Sequence, residues 1–182
     1  MTEAHEMKRL FNVGIIAAFA TLAFVGTTVI RVPIPASGGY FNLGDTFVMV
    51  AALLYGPVVG GLVGLIGPTL ADAVGFPQFI LATAVVKGIE GMAVGWIAGK
   101  SGPDAMMKPV MALVAGILIL AGGYFVFEAL IYPILAKGIP FFGVTDATAA
   151  VAELVPNLLQ GGISAVIAFG IWRVFSRRGE DG

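Results

Sequence analysis

PIPASGGYFNLGDTFVMVAALLYGPVVGGLVGLIGPTLADAVGFPQFILATAVVKGIEGMAVGWIAGK, residues 33–100, is the stretch of sequence on which the fold depends. It joins a loop rich in proline and glycine to two short apolar segments dense in glycine and to a third apolar segment that carries Lys87 and Glu90. Asp45 and Asp72 stand at segment boundaries. Because charges are costly inside hydrocarbon, a chain that keeps them there uses them for a binding site or for internal pairing.

The composition predicts an integral membrane protein. Of the 182 residues, 58% are hydrophobic and 12% are charged, whereas a soluble domain carries roughly 45–50% apolar and 25% charged residues. A net charge of −1 with no basic stripe excludes a nucleic-acid partner. The chain has no cysteine and one histidine, His5, so Cys-His and Ser-His-Asp catalysis and thiolate metal sites are excluded. We expect no enzyme activity, metal or cofactor.

Apolar segments long enough to cross the bilayer organise the whole chain, 1–182, as one transmembrane domain. A helix of about 20 apolar residues crosses roughly 30 Å of hydrocarbon. Proline at 57 favours two antiparallel helices over one long broken helix around Tyr55-Gly56-Pro57. The prediction is an all-α bundle of six transmembrane helices, at about 10–30, 43–55, 57–74, 78–99, 109–136 and 149–175.

The distribution of Lys and Arg predicts the orientation of this bundle. With six helices both termini lie on one side of the membrane, and that side collects seven cationic residues against two on the other. Cytoplasmic loops carry the excess of Lys and Arg, so we expect cytoplasmic termini in the cell membrane and outward loops at 31–42, 73–77 and 137–148. The seven are Lys8, Arg9, Lys100, Lys108, Arg173, Arg177 and Arg178, and the two are Arg31 and Lys137.

Polar side chains recur at helical spacing on the last three predicted helices. None can face lipid cheaply, so they are expected to converge on an interior cavity in the outer half of the membrane. Internal pairing of Lys87 with Asp72, Glu90 or Glu128 is the open alternative for that lysine. The three sets are Lys87 and Glu90; Tyr124, Glu128 and Tyr132; and Glu153, Asn157, Gln160 and Ser164.

The loop VPIPASGGYFN, residues 32–42, is predicted to cover this cavity. Its prolines keep the chain extended and Gly38-Gly39 allow it to turn. Tyr40 and Phe41 then supply a flat apolar lid. Either Asn42 or Asp45 is expected to cap the second helix, and capping alone would explain Asp45.

Three motifs in this order resemble substrate-binding (S) components of energy-coupling factor (ECF) vitamin transporters. They are PIPASGGYFNLGD, LYGPVVGGLVGLIGPTLAD and TAVVKGIEG, with a looser match at PNLLQ on the last helix. The similarity is greatest to the riboflavin, pyridoxine and hydroxymethylpyrimidine branch, and it covers about residues 31–100 best. It implies a protein that binds a vitamin at its extracellular face under a gating first loop.

The same resemblance implies partners and site residues. A separate transmembrane coupling subunit and two cytoplasmic ATPase subunits would energise uptake, and the protein would topple in the membrane to release its substrate. The family docks through Ala-x-x-x-Ala on the first helix, for which this chain has Gly14/Ala18 and Ala17/Thr21. The family's binding region corresponds here to Tyr40, Asn42, Lys87, Glu128 and Asn157.

Two main functional hypotheses follow. In the first, the chain is the S subunit of an ECF importer for a small vitamin or precursor, pyridoxine-, hydroxymethylpyrimidine- or riboflavin-like. The excess of carboxylates mildly favours a neutral or amine-bearing ligand. In the second, it is a stand-alone ion- or proton-coupled carrier that uses Lys87, Glu90 and Glu128 as a relay. A purely structural membrane subunit is a third reading. The candidate substrate-binding residues are Tyr40, Asn42, Lys87, Tyr124, Glu128, Glu153, Asn157 and Gln160, with Asp45, Asp72 and Glu90 in a supporting network.

Overall fold

The computed structural model describes residues 2–35, 38–102, 104–142 and 145–178, without the side chains of residues 2–4, 8 and 178. Six main helices make up this part of the chain, and all except α2 are long and apolar enough to cross a membrane. They are α1 Thr2–Val29, α2 Gly44–Tyr55, α3 Pro57–Gly75, α4 Ile80–Ala98, α5 Met107–Leu135 and α6 Ala147–Arg178. Short 3-10 turns lie at Pro77–Phe79 and Pro140–Phe142. The predicted all-helical membrane fold is confirmed.

The short second helix is a core element. Its 12 residues cover about 18 Å at 1.5 Å per residue, and nine of them are buried between α1, α3, α4 and α6. Gly56, at φ 87°, separates it from α3, which begins at Pro57. The predicted break at Gly-Pro is therefore present, and α2 gains its stability from neighbouring helices.

Helices α3 and α4 pack backbone to backbone through glycine. A Cβ atom added at Gly64 would lie 2.1 Å from the carbonyl oxygen of Lys87, and one added at Gly91 would lie 2.2 Å from that of Gly60. Small residues allow such close approach in membranes, where burying leucine offers no advantage over lipid. This contact fixes the depth and rotation of Lys87.

A π-helical turn interrupts α5 at Phe127–Ile131. The turn widens the helix locally, and Tyr124, Glu128 and Tyr132, which their spacing placed on one face, contact two neighbouring helices. The Tyr124 hydroxyl lies 2.7 Å from that of Thr83, and the Tyr132 hydroxyl accepts a hydrogen bond from the Ala82 amide at 3.2 Å. Glu128 instead lies beside Glu153 of α6.

Residues 32–34 and 39–41 pair as a β-hairpin at the end of the bundle where α4 and α6 begin. Strand β1, Val32–Ile34, pairs antiparallel with β2, Gly39–Phe41. Gly38, at φ 73°, donates its amide to the Ile34 carbonyl at 3.0 Å. The extended, turning loop expected from the sequence is thus a strand pair, although Ala36 and Ser37 lie outside the described residues.

The opposite half of the bundle is filled with apolar side chains. They come from α2, α4, α5 and α6 and include the buried Trp172. The interior is therefore divided into a polar half under the hairpin and an apolar half toward the termini. The apolar cluster comprises Met49, Val50, Ala52, Leu53, Val94, Ala98, Ala112, Leu113, Ala165, Ala168 and Trp172.

Candidate functional site

A small polar cavity lies beneath the hairpin, where α3, α4, α5 and α6 meet. Its volume is about 20 Å³, room for about one water molecule. Backbone and side chains from the hairpin close it on one side, and the four helices form its other walls. The lining residues are Gly39, Tyr40, Asn42, Asp72, Phe79, Thr83, Tyr124, Glu153, Asn157 and Gln160.

The structure brings most of the predicted binding residues to this cavity. Tyr40, Asn42, Tyr124, Glu153, Asn157 and Gln160 line it. Lys87 and Glu128 are not among its lining residues, although both are buried. Asp72, predicted as a network residue, contributes directly to the wall. Phe79, Thr83 and Gly39 were missed, because an apolar phenylalanine, a single threonine within a helix and a glycine do not distinguish a binding site from ordinary packing.

Gln160 connects the cavity to the interior. Its Oε1 accepts hydrogen bonds from the Asn42 amide at 2.7 Å and from Asn42 Nδ2 at 3.2 Å. Its Nε2 donates to Asp45 Oδ2 at 2.6 Å. Asn42 Oδ1 in turn accepts from the Gly44 amide at 2.9 Å. These bonds tie the end of the hairpin to α6 and to the start of α2.

Asp45 and Lys87 form a buried ion pair below Gln160. Lys87 is 2% exposed and Asp45 is 0% exposed, and Glu90 Oε2 lies 3.7 Å from the same ammonium group. Two expectations are corrected here. The N-cap of α2 is Leu43, so neither Asn42 nor Asp45 is its cap, although Asn42 accepts a hydrogen bond from the amide of Gly44. The main partner of Lys87 is Asp45, which was not among the three carboxylates expected for it; of those three, Glu90 is the one beside its ammonium group.

Asp72 accepts two hydroxyl groups at the opposite wall. Tyr40 donates its hydroxyl to Asp72 Oδ1, and Thr83 donates to Oδ2 at 2.5 Å. Burial, reinforced by the Asp72 carboxylate, raises the pKa of the Tyr40 hydroxyl above its ordinary value. Tyr40 therefore remains a neutral donor, and its bond to Asp72 latches the second hairpin strand to α3.

Arg31 packs against Tyr40 on the side of its ring away from the cavity. Its guanidinium carbon lies 5.0 Å from the Tyr40 ring centre and 5.3 Å from that of Phe76. Its nitrogens donate to the carbonyls of Thr27 at 3.0 Å and Ala71 at 2.8 Å. Stacking against aromatic rings and bonding to helix-end carbonyls are favourable for a planar cation. Arg31, which the sequence marked only as an outer charge, thus holds the base of the hairpin.

Glu153 and Glu128 form an acidic pair at the α6 side. Gly39 approaches Glu153 so closely that an added Cβ would lie 1.8 Å from Glu153 Oε1. Neither Glu128 oxygen receives a hydrogen bond from an N–H or hydroxyl group of the described residues. Three or more His, Cys, Asp or Glu side chains nowhere come together as a metal site in the described ranges.

The comparison with family models identifies this architecture. The model described as "ECF-type riboflavin transporter, S component" matches residues 5–176. This chain belongs to that family. Its cavity therefore belongs to a substrate-binding component of a transporter, which is not an enzyme class.

The chain is also similar to individual proteins and to a solved structure. The chain is 34% identical over 154 residues to the "uncharacterized protein in gap 3′ region" of Pyrococcus woesei, covering 85% of this chain and 94% of that protein. It is 35% identical over 77 residues to a UPF0397 protein of Leuconostoc citreum, covering 42% and 41%. A solved structure described as "Structure and mechanism of the S component of a bacterial ECF transporter" superposes with a TM-score of 0.62. At 16% identity over 93% of this chain and 97% of that one, it shows the same fold.

Proposed function

We propose that this S component captures a small vitamin or vitamin precursor at the extracellular face of the cell membrane. Membership of the family makes it the substrate-binding subunit of an ECF transporter. The ligand is pyridoxine-, hydroxymethylpyrimidine- or riboflavin-like, and uptake is driven by ATP through a coupling subunit and two cytoplasmic ATPase subunits. The excess of Lys and Arg near the termini supports cytoplasmic termini and an outward hairpin.

The observation that carries this proposal is the buried polar cavity closed by the hairpin. A vitamin-sized ligand occupies a pocket of roughly 300 Å³ or more, whereas the present cavity is about 20 Å³. Its closure depends on a few contacts, above all Tyr40 to Asp72 and Asn42 to Gln160. Lifting the hairpin breaks these bonds and opens the cavity to the outside, so the hairpin is the gate.

Different lining residues contact different parts of the ligand. Tyr40, Phe79 and Tyr124 present rings that can stack on a flat ligand. Asn157 is buried in the wall, and an amide offers both a donor and an acceptor to ring edges. Gln160 already uses both ends of its amide within the protein. Asn157 is therefore the main reader of the ligand.

The first helix offers the surface for the coupling subunit. Gly14, Ala17, Ala18 and Thr21 are all exposed on α1, and Gly14 has no neighbouring atom within 4 Å of an added Cβ. Close helix packing in membranes uses such small residues. We propose that these four residues form the docking face.

The geometry does not favour the stand-alone carrier. A relay through Lys87, Glu90 and Glu128 requires these groups to follow one another, but Lys87 is paired with Asp45 and Glu128 lies beside Glu153. The half of the interior toward the termini is filled by the Trp172 cluster. This packing fits better with transport in which a coupling subunit and ATPase subunits move the whole S component than with an ion relay through its interior.

Native mass spectrometry of the detergent-purified chain tests the proposal. We expect one small organic molecule to be bound per wild-type chain and to be lost in Asn157→Ala, because a buried amide that reads the ligand is removed. Ser164→Ala is the matched control, since Ser164 is buried two turns further along the same helix and outside the cavity. A bound molecule retained equally in both variants would contradict this site.

A further inference from the structure

The charges around the cavity are unbalanced. The carboxyl groups of Asp72 and Glu153 line it, and Glu128 adjoins Glu153. No lysine, arginine or histidine belongs to the lining that the structure describes. The nearest cations are already engaged, Lys87 by Asp45 and Glu90, and Arg31 by two backbone carbonyls and two rings.

The Glu153–Glu128 pair is the part of this charge that no cation and no N–H or hydroxyl donor of the described residues contacts, and the two carboxyl groups pair only with each other. Glu153 is 5% exposed and its Oε1 receives no hydrogen bond, while Glu128 is 0% exposed. Asp72, by contrast, accepts two hydroxyl groups. A buried carboxylate that lacks both a cation and a donor is strongly disfavoured. A guest that supplies a positively charged donor relieves this cost.

The other walls favour an organic cation over a metal ion. Carboxylate ligands for a metal would have to come together in groups, and the described residues hold no such cluster of three. Instead, three aromatic rings stand around the cavity, those of Tyr40, Phe79 and Tyr124. Aromatic faces combined with a carboxylate are the usual surroundings of bound ammonium groups.

We propose that Glu153, with Glu128 beside it, binds the positively charged group of the transported molecule. The substrate class is a small ring compound that bears an ammonium or a protonated amino-heterocycle, and not an uncharged or phosphorylated vitamin. This inference rests on the proposed function and narrows its ligand range to amine-bearing pyridoxine- or hydroxymethylpyrimidine-like molecules, so that riboflavin-like ligands are excluded. The ring stacks on the aromatic walls, Asn157 contacts its edge, and the charge points toward α6.

Probe binding to the detergent-purified chain, freed of any co-purifying molecule, tests this at neutral pH by calorimetry. Four probes are compared. Pyridoxamine carries an ammonium group where pyridoxine carries a hydroxyl group, and the two are otherwise the same. Thiamine is a second cationic probe, with its charge on a ring, and riboflavin is a second neutral probe. We expect at least one cationic probe to bind about tenfold or more tightly than either neutral probe, the gain typical of a charge-assisted hydrogen bond. Glu153→Gln, which keeps the shape and removes the charge, should abolish that preference.

The matched control is Asp146→Asn, which removes a carboxylate from the outer loop before α6, away from the cavity, and should keep the preference. Neutral probes that bind as tightly as both cations, or no binding of either cation, would overturn the proposal. The wild-type comparison decides this even where Glu153→Gln does not fold. Tight binding of a neutral probe alone would leave the S-component function standing, whereas the absence of any co-purified small molecule would count against that function itself.

Discussion

Lys87→Met should lower the free energy of unfolding by about 3–5 kcal/mol, the usual result of removing one partner of a buried ion pair. The variant leaves Asp45 and Glu90 in the bundle interior without the ammonium that lies between them. Unfolding of the purified protein in mixed micelles, followed by the fluorescence of its two tryptophans, measures this change.

Two further variants separate the ion pair from general effects of losing a charge. Lys137→Met removes an exposed lysine and should leave stability unchanged. Asp45→Asn/Lys87→Met should recover part of the loss, since Glu90 is then the one carboxyl of the two that is left without the ammonium. Equal stability of the Lys87→Met and Lys137→Met proteins would show that the Asp45–Lys87 pair does not stabilise the bundle.

Gly64→Ala should destabilise the protein by about 1–3 kcal/mol or more, the range for overpacking of a close-packed interior. The new methyl would lie 2.1 Å from the Lys87 carbonyl oxygen and 2.7 Å from its carbon. Backbone cannot rotate away as a side chain can, so α3 and α4 must separate. The same unfolding experiment measures the loss.

Gly88→Ala is the matched control in the same helix interface. Its added Cβ would lie 3.6 Å from the Leu65 side chain, an ordinary contact, and alanine is the better helix former. We expect no loss of stability there. If the two alanine variants unfold alike, the backbone contact at Gly64 is not what sets the spacing of α3 and α4.

The pattern of apolar residues was sufficient to predict the helices, and helical spacing predicted the cavity wall on α6. Glu153, Asn157 and Gln160 line the cavity because α6 continues as α-helix through their positions, although Pro156 lies between them. On α5, spacing did not predict the contacts: the hydroxyls of Tyr124 and Tyr132 reach α4, whereas Glu128 lies beside Glu153 of α6. The sequence of residues 127–131 does not predict the π-helical turn, because tertiary packing, and not the local sequence, offsets the free-energy cost of such a turn.

Pairings between distant segments were the least predictable feature. Several buried carboxylates could neutralise Lys87, and the choice of Asp45 depends on how far α4 is rotated against α2. That rotation is set by glycine contacts such as Gly64 with Lys87, which spacing alone does not give. The sequence predicted that an extended loop covers the cavity. It did not predict the hydrogen bond from Tyr40 to Asp72, because that contact depends on how deep α3 lies in the bundle.

We propose that the polar cavity opens to the cell exterior by movement of the hairpin. The chain contains no cysteine, so a single Thr83→Cys variant reports on the cavity wall without background. In intact cells, a membrane-impermeant thiol reagent should label Thr83→Cys and should leave Val94→Cys, in the apolar cluster, unlabelled. Absence of labelling at position 83, or labelling that occurs only from the cytoplasmic side of inverted vesicles, would contradict the account.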